Sequence, residues 1–125
     1  MKLKDYIKQI EQFYRDNNVQ IDPVPNISIN DDVCSRFDPF IPTGNYDPST
    51  NTITLFVYNR HVKDILRTFC HELYHRSQHL TQVDDFDKLD KSGSLSQNSD
   101  LEKLEGDAYY HGNLLFRKWT ETFTM

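Results

Sequence analysis

Val62-Lys63-Asp64-Ile65-Leu66-Arg67-Thr68-Phe69-Cys70-His71-Glu72-Leu73-Tyr74-His75-Arg76-Ser77-Gln78-His79-Leu80 is the stretch whose reading decides the fold. Its apolar residues, Val62, Ile65, Leu66, Phe69, Leu73 and Leu80, fall on one side of a helix, which predicts a helix over 62–80 with that side toward a core. At about 100° per residue, His71 and His75 project from nearly the opposite side, a face free to hold something else. They stand at i and i+4, one turn apart, so both can grip a single ion. Glu72 lies on the flank of that face, where it reaches a metal-bound water rather than the metal. The spacing is His-Glu-x-x-His, two ligands and a general base. In such an arrangement zinc lowers the pKa of its water to about 7, and the glutamate takes the proton as the water attacks a carbonyl. The bland reading of the same five residues is two solvated histidines and a surface glutamate on an ordinary amphipathic helix. Context separates the two.

Upstream, Thr52-Ile53-Thr54-Leu55-Phe56-Val57-Tyr58 is the strongest strand signal, and the turn formers Gly44 to Asn51 before it predict a hairpin. Val24 to Asn30 reads as a short strand after the extended linker Asp22-Pro23-Val24-Pro25. Residues 31–43 read as irregular. Leu3, Tyr6, Ile7, Ile10, Phe13 and Tyr14 recur at helical spacing, so residues 2–18 form an amphipathic helix. A peptide could lie antiparallel to an edge strand at Ile53–Val57, held by main-chain hydrogen bonds.

Downstream, residues 81–100 are polar and aperiodic, a long loop that is functional or mobile and could cover a cleft. A last helix runs from about Asp100 to Thr120, with Leu101, Leu104, Ala108, Gly112, Leu115 and Trp119 as its apolar stripe. Helix, strands, helix, loop, helix is the order of a single α+β domain spanning residues 1–125.

Catalytic zinc needs a third protein ligand and an open position. The last helix offers Glu102, Glu105 and Asp107. Ser99 and Glu102 form a capping box, which gives Glu102 a structural task. Glu105 borders the apolar stripe and faces whatever that stripe packs on, so it is the preferred third ligand for one Zn2+. Asp107 projects about 160° away around the helix and reads as a second carboxylate bonded to a ligand histidine, or a solvated charge. Gly112, two turns past Glu105 on nearly the same face, lets this helix approach the histidine-bearing one closely. Tyr109, one turn after Glu105, is the first candidate to stabilise charge developing on an attacked carbonyl, ahead of Tyr110 and His111. The plainer reading of each tyrosine is a ring filling the core with its hydroxyl at the rim. His61, His79 and His111 read as surface or core histidines. Thr81 occupies the position where a metzincin carries its third histidine, which excludes that class.

The net charge of -5 and pI near 5.4 argue against nucleic acid or an anionic membrane as a partner. Nothing in the sequence resembles a signal peptide or a membrane span, which predicts a cytoplasmic protein. Cys34 and Cys70 are expected as free thiols, Cys70 in the core. A monomer acting on a peptide or protein is the expectation.

His71-Glu72-Leu73-Tyr74-His75-Arg76-Ser77-Gln78, followed by Glu105-Gly106-Asp107-Ala108-Tyr109-Tyr110-His111-Gly112-Asn113 and Phe116-Arg117-Lys118-Trp119, resembles the zincin fold in its gluzincin form. In size the chain is similar to the minigluzincins, and more narrowly it resembles metallopeptidases encoded by tailed phages. The resemblance implies zinc, a peptidase-like site, Glu105 as the third ligand and, for a phage protein, the host cytoplasm as its setting. Asp107 stands where the pattern has a second glutamate, and Arg76 is a charge where zincins carry an uncharged residue. The alternative to a metalloendopeptidase is a zinc-stabilised, catalytically silent protein that binds a host or viral partner. The metal-free alternative is an α+β domain with a coincidental motif.

Overall fold

A computed structural model describes residues 3–32, 43–81 and 99–122. Among these residues three helices and a three-stranded sheet make a small α+β domain. Helix α1 spans Leu3–Asp16, strands β1, β2 and β3 span Asn26–Asn30, Gly44–Asp47 and Thr52–Phe56, and helices α2 and α3 span Val62–Thr81 and Ser99–Glu121. The strand order is β1-β3-β2, with β3 parallel to β1 and antiparallel to β2. The expected loop at 81–100 and the irregular 31–43 stretch lie largely outside the described residues, as does Cys34.

The hairpin forms where the turn residues stand. Asp47 Oδ1 accepts from the Ser49 amide and hydroxyl, and Asn51 adopts a positive φ of 51°, which asparagine tolerates. One expectation fails here. The 53–57 segment is the central strand, paired on both sides, because β1 occupies the edge that the hairpin left open. Any free edge for a peptide is therefore on β1 or β2.

The sheet and the helices bury Ile53 and Leu55 of β3 against Ile10 and Tyr14 of α1 and Phe69, Cys70 and Leu73 of α2, all fully buried. Tyr14 Oη donates to the Cys70 carbonyl at 2.6 Å, bonding α1 to α2 one residue before His71. Burial pushes the free Cys70 thiol up to about 12, so this cysteine is an inert packing group. His61 caps α2: its Nδ1 accepts from the Lys63 amide and its carbonyl from the Asp64 and Ile65 amides. That gives it a structural task.

The expected two-faced α2 is only half right. Its first turns have one buried side, but from Glu72 to Gln78 every residue except Tyr74 is buried, including His75, Arg76 and Gln78. Helix α3 covers one flank and β2 the other, so the polar residues of this segment must find partners inside the protein. Arg76 does so by donating to the Pro23 carbonyl at 2.9 Å, the Ile21 carbonyl at 3.4 Å and the Tyr46 hydroxyl at 3.3 Å. The unexpected charge after the motif thus ties α2 to the 21–23 segment and to β2. Among the described residues no helix is long and apolar enough to cross a membrane.

Candidate metal centre

The i, i+4 spacing on α2 aims both histidines toward α3, and α3 returns Glu105. His75 Nε2 lies 2.8 Å from Glu105 Oε1, and His71 Nε2 lies 3.5 Å from Glu105 Oε2. One ligand atom from each of the three lies within 4.8 Å of the others, and among the described residues no other group of histidine, cysteine or acidic side chains gathers in this way. Two nitrogens and one oxygen suit zinc better than calcium or magnesium, which take oxygen.

The approach of α3 depends on Gly112. A Cβ there would stand 3.0 Å from His71 Cα and 3.3 Å from its backbone nitrogen, atoms that cannot move without moving the helix. The close approach read from the sequence is therefore present, and its contact point is the backbone of a candidate ligand.

Gln78, which the sequence reading passed over, sets the chemistry of His75. Its amide nitrogen donates to the Leu104 carbonyl at 2.9 Å, and a carbonyl can only accept. Gln78 Oε1 must then face His75 Nδ1, at 2.8 Å, so Nδ1 carries the proton and Nε2 presents a lone pair to Glu105. A lone pair facing a carboxylate at 2.8 Å needs a positive charge between them, either a proton or a metal ion. The donor set fits a cation.

Without an ion, the cluster holds protons instead. Burial pulls the His75 pKa down, but the hydrogen bond to Glu105 and the charge of Glu72 outweigh it, and the net direction is up. His71 and then His75 hold the Glu105 carboxyl well below the usual carboxylate range. Glu72 is buried at 8% exposure, and desolvation raises its pKa against the opposing pull of the two histidines.

The neighbour of Glu72 is Gly44 at the start of β2. A Cβ at Gly44 would clash with Thr68 Cγ2 and come within 3.4 Å of Glu72 Cγ, so only glycine lets the strand sit this close. Arg60 clamps the same corner, donating to the carbonyls of Thr43, Phe56 and Asp64 and to the Thr68 hydroxyl. Nothing in the local sequence distinguishes Gly44 from a turn glycine or Arg60 from a surface arginine; both roles exist only once β2 meets α2.

No family model, curated protein or solved structure matches the chain. The site therefore stands on its own geometry.

The other candidates separate cleanly. Glu102 is exposed and outside the cluster, and the Ser99 side chain of the expected capping box lies outside the described residues. Asp107 is outside it too, and its charge acts on Tyr74, raising that phenol's pKa after burial has done so. Tyr109 is 69% exposed and makes no hydrogen bond among the described residues, so it does not fill the core. Tyr110 is likewise exposed, with its ring edge-on to His111, and His111 stacks on Tyr74 at 5.1 Å. The ring of His79 bonds Tyr46 through Nδ1 at 3.1 Å.

Proposed function

We propose that the chain is a zinc-dependent hydrolase of the zincin kind, a metallopeptidase in which His71, His75 and Glu105 hold one Zn2+ and Glu72 is the general base. The observation that carries the reading is the convergence of three ligand atoms within 4.8 Å, with the His75 tautomer imposed by Gln78. A zinc ion at that point supplies a Lewis acid and lowers the pKa of bound water to about 7.

The chain's own residues do the rest. Glu72 sits next to His71 in sequence but projects to the β2 side of the helix, where it stands beside Gly44 and would accept a proton from water held at the ligand cluster. Its burial keeps competing water away from the carboxylate, and its raised pKa brings it closer to the operating range of a general base. Among the described residues the sheet edge beside Glu72 is β2, so a peptide that adds a strand would pair there rather than on β3. We place this activity in the cytoplasm, which suits the free Cys70 thiol.

Two measurements on one pair of proteins test the reading. Elemental analysis after zinc reconstitution should return one zinc per chain for the wild type and for Glu72→Gln. Hydrolysis of a peptide library should fall on the order of 10²–10⁴-fold in Glu72→Gln. A zinc-loaded wild type that cleaves no peptide favours the silent binding protein, and a chain that takes up no zinc overturns both.

A further inference from the structure

We infer that Arg67 is a substrate-anchoring residue that recognises a carboxylate one or two residues beyond the scissile bond, so that the preferred substrates are peptides cleaved near a free C-terminus. The inference rests on the metallopeptidase reading and gives that site a substrate class.

Arg67 stands at i−4 from His71, so its Cα lies one turn, about 6 Å, along α2 from that ligand's. Asp64, Arg67, Thr68, His71 and His75 share one face of α2 within about 100° of arc. The helix face that carries the two histidines therefore extends to Arg67. A peptide advances roughly 3.3–3.6 Å per residue, so a group one or two residues past an attacked carbonyl comes within reach of a side chain placed there.

The guanidinium is presented in a defined plane. Its carbon lies 5.3 Å from the centroid of the Phe116 ring on α3, and Nη1 donates to Asp64 Oδ1 at 3.2 Å. These two contacts orient the fork but leave its other edge open: Nε and Nη2 have no partner among the described residues. That edge is the one suited to a bidentate carboxylate. The other arginines among the described residues differ. Arg15 spends Nε and Nη2 on Asp22, Arg60 spends both terminal nitrogens on backbone carbonyls and the Thr68 hydroxyl, and Arg76 spends all three nitrogens on carbonyls and the Tyr46 hydroxyl. Arg117 pairs with Glu121 through Nε. The Asp64 pair is half-exposed on both sides, at 52% and 53%, and so is weak enough to yield to a substrate carboxylate.

The test reads recognition without needing turnover. Zinc-loaded, immobilised Glu72→Gln protein is offered an equimolar mixture of N-acetylated tripeptides as free acids and as amides, and bound peptides are quantified by mass spectrometry. Free acids should be enriched about five- to tenfold over neutral amides. The enrichment should vanish in Arg67→Gln, survive in part in Arg67→Lys, and leave zinc at one per chain throughout. Amides carrying glutamate at the last position form a further arm; their equal enrichment assigns the carboxylate to a side chain instead of a terminus. Equal capture of acids and neutral amides, or an enrichment that Arg67→Gln leaves intact, overturns the inference. Enrichment without any wild-type hydrolysis sinks the hydrolase reading while recognition stands, and a protein that binds no zinc takes both down together.

Discussion

His71 and His75 have the same residue type, the same helix and the same proposed ion, yet the protein holds them by different means. His75 is buried, and its ring is fixed through Gln78 to the Leu104 carbonyl on α3, one residue before Glu105. His71 is partly exposed, with a side chain 24% accessible and no hydrogen bond to Nδ1 among the described residues. What fixes His71 is its backbone, against which Gly112 brings α3 to contact distance. One ligand is organised by its side chain's partner and the other by the packing of two helices. The difference predicts that they fail differently.

The widest separation should come from removing each ring. Both His71→Ala and His75→Ala should abolish stoichiometric zinc uptake, since each deletes a ligand. In the zinc-free proteins they should part. His75→Ala leaves Gln78 Oε1 without its donor and should cost about 1–3 kcal/mol in denaturant unfolding, whereas His71→Ala loses only a partly exposed pairing with Glu105 and should cost less, on the order of 0.5–1 kcal/mol. Equal losses would erase the distinction.

Replacing Gln78 by leucine leaves both ligands but removes the tautomer lock on His75. Zinc affinity should fall roughly 10–100-fold by competition titration. An unchanged affinity would mean the lock is structural only. Gly112→Ala attacks from the other side. The new methyl meets His71 backbone that cannot yield cheaply, so about 1–3 kcal/mol of stability should go, with zinc weakened through displacement of α3 and Glu105. A neutral Gly112→Ala would show that the helices have slack where the structure has none.

The smallest effect is in the pH dependence. Without zinc, the depressed Glu105 pKa contributes stability that is present above its ordinary 4.5 and lost as pH falls through the folded value. The raised His75 pKa contributes stability present below its ordinary 6.5 and lost as pH rises through the folded value. The zinc-free cluster should therefore help most between pH 4.5 and 6.5. Zinc competes with the same protons, so the rise in Tm on adding zinc should grow as pH climbs above 6.5. Melting curves with chelator and with zinc across that range read both trends.

The asymmetry also explains what could be read from the sequence. The histidine pair, Glu105 and the close approach at Gly112 follow from helical phase, because each is a statement about one helix and its apolar stripe. The extra burial of Arg76 and Gln78 does not, since it depends on β2 and α3 closing on opposite sides of α2. Gln78 stands three residues after His75, a spacing that permits the bond but does not demand it. The central place of β3 is likewise invisible locally: the strand signal at 52–58 fixes the element, and only the parallel pairing with β1 decides that its edge is closed. The exposure of Tyr109 is also invisible locally, because phase places it one turn after Glu105 and says nothing of the solvent that surrounds it.

The zinc X-ray absorption spectrum of the reconstituted protein tests the central claim most directly. The account predicts one zinc per chain with two imidazoles and a carboxylate oxygen in its shell, at about 2.0–2.2 Å, and loss of one imidazole in His71→Ala or His75→Ala under forced loading. A sulfur-containing shell, a single imidazole, or no bound zinc would contradict it.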